Sequence, residues 1–108
     1  MADWVRVCGL AEAPPVGQVR EAEAAGHMVC LANVDGELRA IDNRCPHRDG
    51  PLGQGWLEGG SVVCPWHSWT FDLKTGEGEF PAKVTLPVYP VRVQDEDVLI
   101  QIETPPIG

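Results

Sequence analysis

Two short segments, Cys45-Pro46-His47 and Cys64-Pro65-Trp66-His67, each offer one thiolate and one imidazole, with sixteen residues between His47 and Cys64. They hold two of the four cysteines and two of the three histidines in the chain. Two thiolates with two imidazoles suit a tetrahedral zinc, or a two-iron, two-sulfide cluster in which His replaces Cys on one iron. Zinc sites usually space their ligands as C-x₂₋₄-C and H-x₃₋₅-H, and this chain alternates Cys and His instead. A structural zinc-binding interaction module is therefore the remote alternative. A cluster gains from this donor set because neutral imidazoles in place of thiolates remove negative charge, so an added electron meets less repulsion. The ring nitrogen that each imidazole keeps free lets protonation follow reduction.

The order Cys-x-His … Cys-x-x-His resembles the Rieske iron–sulfur motif. The matching region runs from about Asn43 to Asp72, and the flanking strand pattern fits that family across nearly the whole chain. The resemblance implies an all-β fold: a Rieske-type antiparallel β-sandwich base with an inserted cluster-binding subdomain. Residues 1–108 would form a single Rieske domain, with the subdomain at 43–84. It implies one [2Fe–2S] cluster, with Cys45 and Cys64 on the inner iron and His47 and His67 on the outer one. Pro81 falls where the family usually has a proline-containing loop over the cluster.

Departures from part of that family narrow the expectation. Rieske proteins of respiratory and photosynthetic complexes carry two further cysteines that tie the ligand loops together, and here those positions are Gly50 and Trp66. They also place a Ser and a Tyr after the second His, where this chain has Trp69 and Phe71. Fewer hydroxyl donors leave an added electron less stabilised, which points to the low end of the potential range. The chain thus resembles the soluble low-potential ferredoxins. That resemblance implies a one-electron carrier, not an enzyme, passing electrons from a flavin-dependent reductase to a terminal ring-hydroxylating oxygenase by transient docking. The alternative is the Rieske small subunit of an NAD(P)H-dependent nitrite reductase, docking on its large subunit.

At 108 residues the chain is one domain with room for a core. Twelve glycines and ten prolines point to short strands and many turns. No apolar run approaches the length of a membrane helix, and the N-terminus lacks a signal-like segment, so a cytoplasmic protein off the membrane is expected. The net charge of −8 argues against a nucleic-acid partner and suits steering onto a basic patch, or plain solubility. Cys8 and Cys30, in Val-rich stretches, read as buried reduced thiols, and His27 reads as an exposed turn residue.

The elements that must position the ligands are short strands. Residues 3–8 alternate as a first strand, Pro14-Pro15 interrupts, and 17–23 and Met28–Val34 follow. Asp35-Gly36 predicts a hairpin into Glu37–Asp42, so the first forty residues are expected to form one meander leading to Cys45. Between the ligand segments, Gly-rich sequence predicts tight irregular backbone, with Leu52 as an apolar lid or core residue. Ser61–Val63 and Trp69–Leu73 read as strands flanking the second segment. Gly78–Pro90 reads as extended. Tyr89–Gln94 and Val98–Glu103 are expected to pair around Asp95-Glu96-Asp97, with Val91 and Val93 opposite Ile100 and Ile102.

Overall fold

A computed structural model describes residues 2–44, 50–66, 69–80 and 84–103. They form three antiparallel sheets. The first has the order β1 (Ala2–Gly9), β11 (Asp97–Glu103), β10 (Val91–Gln94). The second runs β2 (Val19–Ala24), β3 (His27–Val34), β4 (Glu37–Asp42), β9 (Val88–Tyr89). The third runs β5 (Trp56–Glu58), β6 (Ser61–Val63), β7 (Thr70–Asp72), β8 (Gly78–Phe80).

The middle of β3 is buried on both faces of its sheet, and its sequence shows why. Successive side chains of a strand point to opposite faces, so a strand covered on both sides needs an unbroken apolar run. In β3, Val29-Cys30-Leu31-Ala32 is fully buried throughout. Val29 and Leu31, with Ala40 of β4, join Val98, Ile100 and Ile102 of the first sheet in one core. Cys30 and Ala32, with Ile41 of β4, join Leu52, Val62, Cys64, Phe71, Leu73 and Leu86 in a second core. The first core joins the first and second sheets, and the second core joins the third sheet to the second.

Three hairpins close through two-residue turns in which both central residues have positive φ: Ala25-Gly26, Asp35-Gly36 and Asp95-Glu96. That geometry matches the twist of paired strands. At Asp35-Gly36, Asn33 adds support, its side-chain oxygen accepting from the Gly36 N–H at 2.8 Å and its amide donating to the Pro14 carbonyl at 3.0 Å. The diproline stretch is thereby tied to the end of β3.

The structure corrects several expectations. The opening meander contains only β2, β3 and β4. β1 pairs with β11 near the other end of the chain, through a register shift between Arg6 and Cys8. Because the last hairpin turns over two residues rather than three, Val93 lies opposite Val98, and Ile102 pairs with Asp3 on β1. The Gly-rich stretch between the ligand segments is more regular than expected, with a 3₁₀ turn at Leu52–Gln54 followed by β5. Cys30 is fully buried, but Cys8 is only half-buried, and both are free thiols. His27 is exposed and begins β3 rather than sitting in the turn. Asn43 and Ser61 are also buried, at 6% exposure each. No helix among the described residues is long and apolar enough to cross a membrane.

Candidate metal centre

Of the four expected ligands, Cys64 lies within the described residues, while Cys45, His47 and His67 lie outside them. Among the described residues no group of three or more His, Cys, Asp or Glu converges as a metal site. The supports of both ligand segments are described, and they can be built residue by residue.

The second segment is the tip of the β6–β7 hairpin. Val63 pairs with Thr70, and the Cys64 N–H donates to the Trp69 carbonyl at 2.8 Å, carrying the pairing one step further. Cys64 is fully buried and belongs to the same core as Leu52 and Phe71. Its sulfur is out of solvent and outside any disulfide, which fits a thiolate ligand on the protein-facing side of a cluster. Trp66, two residues on, is 57% exposed. The chain therefore passes from core to surface across this tip.

The first segment leaves the base at Arg44 and returns at Pro51, and these two residues form a β-bridge. Just below the bridge, the Leu52 N–H donates to the Asn43 carbonyl at 2.8 Å. The Asn43 side chain holds both flanks: its oxygen accepts from the Gly53 N–H at 2.7 Å, and its amide donates to Glu21 Oε2 at 2.7 Å. Glu21 Oε1 in turn accepts from the Gln54 side-chain amide at 2.9 Å. Gly53 is required here, since an added Cβ would lie 2.6 Å from the Glu21 backbone nitrogen. Gly55 is equally constrained, because its Cβ would fall 1.9 Å from the Val63 carbonyl oxygen. These two close approaches dock the return of the first segment onto β2 and onto the strand that leads into Cys64.

Trp69 and Phe71 occupy the positions at which the sequence lacks hydroxyl donors. Phe71 is fully buried and Trp69 half-buried. Gly50 is buried and Trp66 exposed, and neither residue carries sulfur. Pro81 itself lies outside the described residues. On either side of it the chain is held by Gly78 N–H to Val84 O at 2.7 Å and Leu86 N–H to Gly76 O at 2.8 Å. Glu21 and Asn43 are the supporting residues that motif reading missed. The glycines at 53 and 55 signalled close packing, but nothing in the sequence named the surfaces they pack on. A groove of about 870 Å³ is lined by Leu10, Pro14, Leu38, Leu73, Tyr89 and Val93, with no residue of either ligand segment among its described lining.

Residues 3–90 match the family described as Rieske [2Fe-2S] domain. The chain is 40% identical over 94 residues to the 3-phenylpropionate/cinnamic acid dioxygenase ferredoxin subunit of Shigella boydii, a match covering 82% of this chain and 89% of that one. It is also 40% identical over 86 residues to mouse apoptosis-inducing factor 3, covering 79% of this chain but only 14% of that much longer protein. Among solved structures, a ferredoxin of Sphingomonas yanoikuyae B1 superposes with a TM-score of 0.83 at 30% identity, covering 94% of this chain and 100% of that one. A Mycobacterium tuberculosis chain described as an NADH-dependent nitrite reductase small subunit shares the fold at 23% identity, with a TM-score of 0.83 over 96% of this chain and 98% of that one. The chain belongs to the Rieske [2Fe-2S] domain family, whose cofactor is one [2Fe–2S] cluster with mixed Cys and His ligation.

Proposed function

We propose that this chain is a one-electron carrier in which Cys45, His47, Cys64 and His67 hold a Rieske [2Fe–2S] cluster, within a cluster-binding subdomain spanning 43–84. The observation that carries the reading is the second ligand segment: a fully buried, free Cys64 at a hairpin tip, followed within the motif by an exposed Trp66 and by His67. By this reading Cys45 and Cys64 serve the inner iron, and His47 and His67 the outer iron. When bound, the cluster supplies a site that takes up and releases one electron. The protein's part is to exclude water from the thiolate side, through Leu52, Phe71 and Leu73, and to hold both ligand segments on paired strands.

The partners we infer are a flavin-dependent reductase as donor and a terminal ring-hydroxylating oxygenase as acceptor. The support is the ferredoxin subunit of similar length, of which this chain covers 89%. The nitrite reductase reading rests on a shared fold at 23% identity and ranks second. The free thiols Cys8 and Cys30 support a reducing, cytoplasmic compartment.

Iron and acid-labile sulfide analysis of the purified protein tests the ligand set. About two of each per chain are expected, as the cluster type requires. His47→Ala and His67→Ala are each expected to abolish the Rieske-type EPR signal of the reduced protein, and His27→Ala to leave it intact. A colourless protein carrying one zinc after expression with ample iron would overturn the assignment. Turnover with purified oxygenase, set against nitrite reductase, separates the two partner readings.

A further inference from the structure

Glu21 lies in β2, on the sandwich base, and no part of the ligand motif points to it. Its carboxylate nevertheless reaches both ends of the first ligand segment. Oε2 accepts from Asn43, two residues before Cys45, at 2.7 Å, and Oε1 accepts from Gln54, three residues after Pro51, at 2.9 Å. Asn43 is 6% exposed, and its other groups are also engaged: its oxygen by Gly53 N–H, its carbonyl by Leu52 N–H, and its own N–H by the Met28 carbonyl at 3.2 Å. Gly53 packs so tightly on Glu21 that an added Cβ would lie 2.5 Å from the Glu21 Cγ.

The Gly53 N–H takes the Asn43 side-chain oxygen and so turns the Asn43 NH₂ toward Glu21. A carboxylate there accepts from Asn43 and from Gln54 at once, one oxygen for each, and both bonds carry its charge. Bonds to a charged acceptor are stronger than neutral ones, and a buried amide left unpaired carries the full desolvation penalty.

We infer that Glu21 is a positioning residue for the metal centre: it clasps both flanks of the 45–49 segment and thereby sets the ligand geometry and retention of the cluster. This rests on the assignment of Cys45 and His47 as ligands. Iron and sulfide counts on the wild-type protein test that assignment alone. The variants below test Glu21 alone.

Glu21→Gln keeps size but removes the charge, so the bonds to Asn43 and Gln54 become neutral ones and a single oxygen is left to accept. Its half-time for cluster loss in excess chelator, followed by visible absorbance, is expected to shorten about tenfold or more, as for loss of a charge-assisted hydrogen bond. The EPR g-values of the reduced protein are expected to shift. The double variant Glu21→Gln with Asn43→Asp rebuilds the pair with its polarity reversed. The introduced glutamine then donates to the introduced aspartate, and its oxygen still accepts from Gln54. The aspartate in turn still accepts from the Gly53 N–H. Both readouts are expected to return to near wild type. Glu23→Gln removes the same charge from an exposed position on the same strand and is expected to change neither. A Glu21→Gln protein that matches Glu23→Gln, or a double variant no better than Glu21→Gln, overturns the inference. Should Glu21→Gln not accumulate folded, the exposed Gln54→Ala removes one of the two clasps. It must then shift the EPR signal and speed cluster loss, and an unchanged protein would equally overturn it.

Discussion

Cys30 faces inward from β3, and burial pushes its thiol from an ordinary 9.0 up to about 12, with Glu21 opposite it on β2 adding in the same direction. Between those values the unfolded chain gives up a proton that the folded chain keeps. The stability tied to this thiol is therefore complete below about pH 9 and is lost as pH rises toward 12, by about 1.4 kcal/mol per pH unit. Urea unfolding at pH 8 and pH 10.5 should show the decline, and Cys30→Ala should make it shallower; an identical slope would assign the loss to other groups. Phe71 makes a second prediction at this scale. Fully buried in the core that contains Cys64, it brings no hydroxyl to the metal centre. The midpoint potential at neutral pH is expected near the low limit of Rieske centres, about −150 mV. Protein-film voltammetry on the wild type and on Phe71→Tyr checks this, the variant being expected to shift upward. A wild-type midpoint well above zero would contradict it.

Among the hairpins, the β10–β11 turn is the least well matched to its backbone. Asp95 and Glu96 have φ of 51° and 66°. Asp tolerates that region, but a long side chain such as Glu does so at a cost of about 1 kcal/mol. The Glu96 carbonyl also accepts from the Leu10 N–H at 2.7 Å, so the turn conformation is held by a neighbouring segment. Glu96→Gly leaves that bond intact and creates an Asp-Gly turn. It is expected to stabilise the protein by about 0.5–1 kcal/mol in urea unfolding. Destabilisation would show that the Glu96 side chain contributes more than its backbone strain costs.

Across the whole molecule the charge is −8, and two of the exposed acids are paired locally, Asp97 with Arg6 at 2.8 Å and Glu37 with Arg39 at 2.6 Å. Such exposed pairs contribute little to stability. The net excess of negative charge is expected to act at long range on an approaching partner. Electron transfer to the physiological acceptor is expected to slow as salt rises, because screening at physiological strength shortens the field to about 8 Å. Stopped-flow rates that stay flat from low to high salt would leave the charge a role in solubility only.

Local chemistry was legible in the residues themselves. The alternation of Cys and His at 45, 47, 64 and 67 identified the family, because metal ligation depends on donor type and spacing. Asp35-Gly36 identified its hairpin because positive φ favours those residues, and the apolar run through Val29–Ala32 marked a strand of the core. Pairings between distant segments were not legible. β1 meets β11 across the length of the chain, and whichever edge completes the core decides that pairing. The role of Glu21 was hidden for the same reason: an acidic residue in an alternating strand reads as a solvated face. Only the packing of Gly53 against β2 turns its carboxylate toward Asn43 and Gln54, because hydrogen-bond partners are set by proximity in space.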